Sequence, residues 1–169
     1  MKRIFTALVL LTGLAHCVFA EPPKNQIAVS VVKYDGLTDL IKKNQGKVIV
    51  VDCWADYCLP CKKEFPKLVA LHKKLAKDGL LAISLSLDEL EDGTKERVLD
   101  FLKEKQASFT NLILDEKPEV WQKKFQVEGP PLVVVFNRKG ELVKKFVDKE
   151  VDYEQIEKLV TKLLNEQAK

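Results

Sequence analysis

Residues 47–55, KVIVVDCWA, form an apolar run interrupted only by Lys47 and Asp52, and six residues past Asp52 the cysteines of Cys58-Leu59-Pro60-Cys61 open a helical pattern. A strand with no polar alternation is buried on both faces of a sheet, so helices must cover both sides of it. The chain is therefore expected to build a layered α/β domain in which a pair of cysteines sits where its most buried strand turns into a helix.

The other elements follow from periodicity and punctuation. Residues 26–34 (QIAVSVVKY) read as a strand and 37–46 (LTDLIKKNQG) as a short helix closing at Gly46. The helix from Cys58 to about Lys77 carries Pro66 and ends at Asp78-Gly79, and a second buried strand covers 80–88 (LLAISLSLD). Residues 94–106 place Val98, Leu99, Phe101 and Leu102 on one side of an amphipathic helix. Residues 111–115 read as a strand, and Pro118 opens a helix over 118–126 at a position where proline is tolerated. Residues 132–148 form two strands around Asn137-Arg138-Lys139-Gly140, and a final helix runs from Tyr153 to about Glu166. The pattern predicts a mixed central β-sheet flanked by helices on both faces, undivided by linker, repeat or low-complexity segment.

The first residues decide the redox setting. Lys2 and Arg3, the apolar run Ile4 to Leu14 and the pattern Val18-Phe19-Ala20 read as a signal peptide over 1–20, leaving a domain of residues 21–169. Two rivals are a lipid anchor on Cys17, for which His16 stands where a small residue is needed, and an uncut membrane tether, for which the run is shorter than the ~20 residues of a bilayer span. Cleavage removes two of 28 basic groups, and the resulting near balance against 25 acidic ones, with lysines beside acids along helices, gives no footprint for nucleic acid. Export leaves Cys53, Cys58 and Cys61 in a compartment where thiols can oxidise.

Three cysteines within nine residues admit several chemistries. The spacing of Cys53, Cys58 and Cys61 matches part of an iron–sulfur loop, but a fourth cysteine is wanting in the domain and Cys53 lies in a strand. A structural zinc site wants four ligands, and His72 stands about 16 Å along the helix from Cys61 at 1.5 Å per residue. His72 reads as a helix-surface residue. No metal or other cofactor is expected, although a copper(I) carrier using the soft thiolates is a reading from a different class. The redox reading fits the setting: at a helix start Cys58 meets unpaired N–H groups and the positive end of the macrodipole, which favour its thiolate, while Cys61 lies one turn inside. Pro60 stiffens the turn without forfeiting a needed N–H, and Cys53 reads as a small buried hydrophobe.

With Trp54, Lys62, Pro66 and Pro131 added, VVDCWADYCLPCKKEFP and VEGPPLVVVF resemble the thioredoxin superfamily. The extra helix and strand between Leu87 and Pro118, Glu64 and the export signal are similar to its TlpA and ResA type of extracytoplasmic thiol-disulfide oxidoreductase. The resemblance covers essentially all of residues 21–169. It implies a thioredoxin-like fold with a cis bond before Pro131 facing a redox-active disulfide of Cys58 and Cys61. It further implies a buried acid at Asp52; Asp52 or Glu64 accepts the proton of Cys61, the alternative being a structural role for either, and the substrate-binding rim is Tyr57, Pro60, Pro130 and Pro131 with Trp54, whose alternative is plain core.

Disulfide-bearing exported proteins would be the substrates, an upstream dithiol donor in the membrane the source of electrons, and the domain a periplasmic monomer. The chain also departs from the family. Ser84 stands where thioredoxin places a lysine beside the buried acid, Cys53 where phenylalanine is usual, Tyr57 where tryptophan is commoner, and Leu132 for a threonine. Pro130 has no N–H to offer an extended partner, a loss of about 0.5 to 1.5 kcal/mol. Reduction, or oxidation and isomerisation by the same pair, are both compatible with these residues, because direction follows potential.

Overall fold

The computed structural model describes residues 27–166. The proposed signal segment 1–20 and Cys17 lie outside them. Strands β1 (Ser30–Val32), β2 (Val48–Trp54), β3 (Leu80–Ser86), β4 (Thr110–Leu114), β5 (Leu132–Phe136) and β6 (Leu142–Val147) form one sheet in the order β1-β4-β3-β2-β5-β6. The first four run parallel; β5 is antiparallel to β2, and β6 to β5.

Every residue of β2 is buried, as its unbroken apolar run requires. Its alternation splits the core in two. Val48, Val50 and Trp54 pack with helices α2 (Leu59–Leu75), α3 (Thr94–Glu104) and α5 (Tyr153–Asn165). Ile49, Val51 and Cys53 pack on the other side with α1 (Tyr34–Lys43) and α4 (Pro118–Phe125). The α3 and β4 pair between β3 and α4 is the addition that the resemblance implied. Among the described residues no helix is long and apolar enough to cross a membrane.

Of the boundaries that differ from the expectation, three have a cause visible in the structure. β1 keeps three ladder residues, Ser30 to Val32, because β4 ends its pairing there and the Asn111 amide takes the Ala28 carbonyl at 3.3 Å instead. α1 begins at Tyr34 rather than Leu37, its first N–H donating to Glu116 Oε1 at 3.2 Å, a partner 82 residues away that local patterning cannot reveal. The long helix ends at Leu75 and tightens into a 3-10 turn, Ala76–Asp78, before Gly79 reverses the chain at φ 105°.

Candidate active site

The end of β2 delivers the chain into α2 through a clamped turn. Both carboxylate oxygens of Asp88, just past β3, accept from the Asp56 N–H at 2.9 and 3.1 Å, and Ser86 Oγ donates to Asp88 at 2.8 Å. Lys62 Nζ reaches Asp56 Oδ1 at 2.6 Å from the first turn of α2. Sequence reasoning missed this clamp, whose only signal was an acid directly after a buried strand.

Cys58 is the N-cap of α2, and Pro60 lies in the helix's first turn. Cys58 and Cys61 are joined by a disulfide with Cα atoms 5.3 Å apart. The Cys61 N–H donates to Cys58 Sγ at 3.3 Å, so the sulfur occupies the place of a capping oxygen among the unpaired donors of a helix start. The cysteines are only 5 % and 4 % exposed, whereas Tyr57 and Leu59 beside Cys58 are 69 % and 75 % exposed. A shallow groove is lined by Pro60, from the cysteine motif, and by Pro131, Val147, Asp148, Lys149 and Glu150. The Pro130–Pro131 bond is cis, Leu132 sits opposite Cys53 and Val147 in the sheet, and the Pro131 carbonyl accepts from the Asp148 N–H at 3.0 Å.

Asp52 shares the cysteine pair's face of the sheet, because Val50 and Trp54 on either side of it belong to the core cluster that contains Cys58 and Cys61. Burial raises its carboxyl from 3.8 to about 6, against the lowering effect of a 2.5 Å hydrogen bond that the Tyr153 hydroxyl donates to Oδ2. Burial, then the Asp52 charge, push the Tyr153 hydroxyl well above its ordinary value. Cys53 leaves the opposite face, buried and free, its thiol held well up by burial first and Asp52 second.

Ser84 lies beside Asp52 in register, where the resemblance implied a missing cation, and its Oγ accepts from Trp54 Nε1 at 2.9 Å. That bond and the flanking rings of Phe65 and Phe101 enclose the indole completely. Trp54 is therefore corrected from the substrate rim to the core. Glu64, one turn beyond Cys61, pairs with Lys67 at 2.5 Å and is part-exposed. His72 is also corrected: it is half-buried against Phe109, with Nδ1 enclosed and unpartnered. Among the described residues no group of three or more histidine, cysteine or acidic side chains could hold a metal ion.

A thioredoxin-like family model matches residues 46–142, more than half of the chain. The chain belongs to the thioredoxin-like family. It is 28 % identical over 148 residues to sporulation thiol-disulfide oxidoreductase A of Bacillus subtilis, covering 85 % of this chain and 88 % of that protein. It is 26 % identical over 171 residues to the thiol-disulfide oxidoreductase ResA of Bacillus cereus, covering 95 % and 94 %. A thiol-disulfide isomerase from Corynebacterium glutamicum superposes with a TM-score of 0.63 at 23 % identity, over 74 % of this chain and 86 % of that one. A thiol:disulfide interchange protein from Chlorobium tepidum gives 0.59 at 20 %, over 73 % and 83 %. These two structures establish the fold alone. Within this thioredoxin-like frame, the matched segment contains the cysteine pair, Asp52, Glu64 and Pro131 but stops short of Tyr153.

Proposed function

We propose that this thiol-disulfide oxidoreductase works outside the cytoplasm and reduces disulfides of exported proteins. It rests above all on one arrangement, a cysteine sulfur in the capping position of α2, bonded to a second cysteine one turn inside and bordered by a groove at Pro60 and Pro131. In the dithiol form the Cys58 thiolate, favoured by the Cys61 N–H and the helix start, attacks a substrate disulfide, giving a mixed disulfide and releasing one substrate thiolate. Cys61 then loses its proton and attacks Cys58 Sγ, which closes the Cys58–Cys61 bond and releases the second substrate thiolate. Two electrons pass from the dithiol to the substrate. An upstream dithiol donor restores the pair.

Asp52 is the proton acceptor for Cys61 in this scheme, because a carboxyl titrating at about 6 is mostly ionised at neutral pH yet basic enough to accept a proton. Glu64, three residues past Cys61 and held by Lys67, assists from the solvent side. Tyr57, Pro60, Pro130 and Pro131 form the docking rim. The reducing direction is favoured by Asp52 itself: a buried anion on the pair's face opposes the Cys58 thiolate of the reduced pair and so stabilises the disulfide relative to the reduced form.

Cys61→Ser should trap stable mixed disulfides with exported proteins and Cys58→Ser should not; equal trapping by both variants would remove the assigned roles. The dithiol form should reduce insulin, and the pair's potential should fall near or below roughly −230 mV, whereas a value near roughly −120 mV would make the protein an oxidant. Export with cleavage after Ala20 predicts a mature chain beginning at Glu21. Mass spectrometry finding Met1 or a lipid-modified Cys17 would overturn that.

A further inference from the structure

We propose that Tyr153 is the positioning residue for the proton acceptor: its hydroxyl holds one oxygen of Asp52 from α5 and leaves the other to receive the Cys61 proton. This rests on the acceptor role given to Asp52 above. Tyr153 opens α5, is buried in the same cluster as Cys58 and Cys61, and reaches across 101 residues of sequence to Oδ2 at 2.5 Å. Asp152 fixes the start of that helix by accepting from the Glu154 N–H at 2.9 Å, so the ring enters the core from a capped helix end.

The groups around Asp52 leave the hydroxyl without a rival among the described side chains. From β3, Ser84 is uncharged and bound to the Trp54 indole. From β5, the residue in register is Val133. On its own strand, Cys53 points to the opposite face. From α2, Cys61 shares the core cluster that holds Tyr153, and Glu64, whose charge reaches the Tyr153 hydroxyl, is paired to Lys67. From α5 come Tyr153 itself and the exposed cap Asp152. Among the described residues no cation pairs with the carboxylate, so a neutral donor does the work that a lysine would do by charge.

Two consequences follow from the chemistry of a phenol. It steadies the ionised carboxylate and so lowers its proton affinity. It also fixes the carboxylate plane, since a hydrogen bond constrains direction as well as distance. Its own proton is held so firmly by burial that the hydroxyl stays a donor across the working pH range.

The test follows the resolution step, Cys61 attacking a preformed mixed disulfide on Cys58, by stopped flow from pH 5 to 9. Tyr153→Phe should move the inflection upward by about one pH unit, so resolution slows about fivefold at pH 6 and changes little at pH 8. In an Asp52→Asn background the same change should add nothing. An unmoved inflection in Tyr153→Phe, with Asp52→Asn still slow, overturns the positioning role and leaves the acceptor in place. Normal resolution in Asp52→Asn overturns the acceptor reading and this proposal with it. A slowing by Tyr153→Phe that is equal with and without Asp52 marks a merely structural tyrosine and also overturns the proposal. Should Tyr153→Phe fail to fold, 3,5-difluorotyrosine at position 153 keeps the ring and donates more strongly. The inflection should then move downward, and an unmoved one counts against the proposal.

Discussion

Asp52 and Cys53 are neighbours with opposite fates, because successive side chains of a strand leave opposite faces. Cys53 packs among Leu85, Leu132 and the helices of the far layer, which puts the sheet between its thiol and the redox pair. Asp52 meets the pair's layer and carries the energetic consequence. Its folded carboxyl titrates at about 6 rather than 3.8, so the folded state binds the proton more tightly than the unfolded chain does. That contribution to stability is fully present below about pH 4 and lost as pH rises through 6. Asp52→Asn should therefore stabilise the oxidised protein by on the order of 2 to 3 kcal/mol at pH 7 to 8, a gain that disappears below about pH 4. Urea unfolding at pH 4 and 7.5 measures it; equal gains at both would mean that desolvation of the charge is not what the substitution relieves. The acid's burial was legible in KVIVVDCWA. Its partner was not, since no spacing rule connects Asp52 to a tyrosine 101 residues later.

At the scale of elements, β2, β3 and α2 could be read closely because each carries an extreme signal: an all-buried strand, a second apolar run, and a helix entered through cysteine and proline. β1 and α1 were misplaced at their ends because distant side chains, Asn111 and Glu116, decide where their pairing stops and starts. Ser84 shows how one strand supports another. Read as the loss of a cation, it is in the structure the acceptor for the indole that fills the space beneath α2 and α3. Ser84→Ala would leave the Trp54 N–H buried and unpaired, a cost of about 1 to 3 kcal/mol. Chemical denaturation of the oxidised protein should show that loss as a lower midpoint with an unchanged slope. A variant as stable as the parent would mean that the indole finds another acceptor.

For the whole molecule, folding and redox poise are one equilibrium seen from two sides. The domain's layers hold the Cys58–Cys61 pair in a fixed geometry with a buried carboxylate on its face, and whichever redox form that environment favours must also be the form that folds more stably. If the anion at Asp52 disfavours the Cys58 thiolate of the reduced pair, the folded protein prefers the disulfide more than its own unfolded chain does. The oxidised form should then unfold at higher urea than the reduced form at pH 7.5. The free-energy gap must equal the difference in potential between the folded and unfolded pairs at about 1.4 kcal/mol per 30 mV, so a gap of roughly 1.5 to 3 kcal/mol corresponds to roughly 30 to 60 mV. Asp52→Asn should narrow the gap and raise the potential together, since both changes come from removing the same charge. Paired unfolding curves and a glutathione or dithiothreitol redox titration give the two quantities independently. A reduced form that outlasts the oxidised one would place the protein among oxidants, with the helix start outweighing the buried acid.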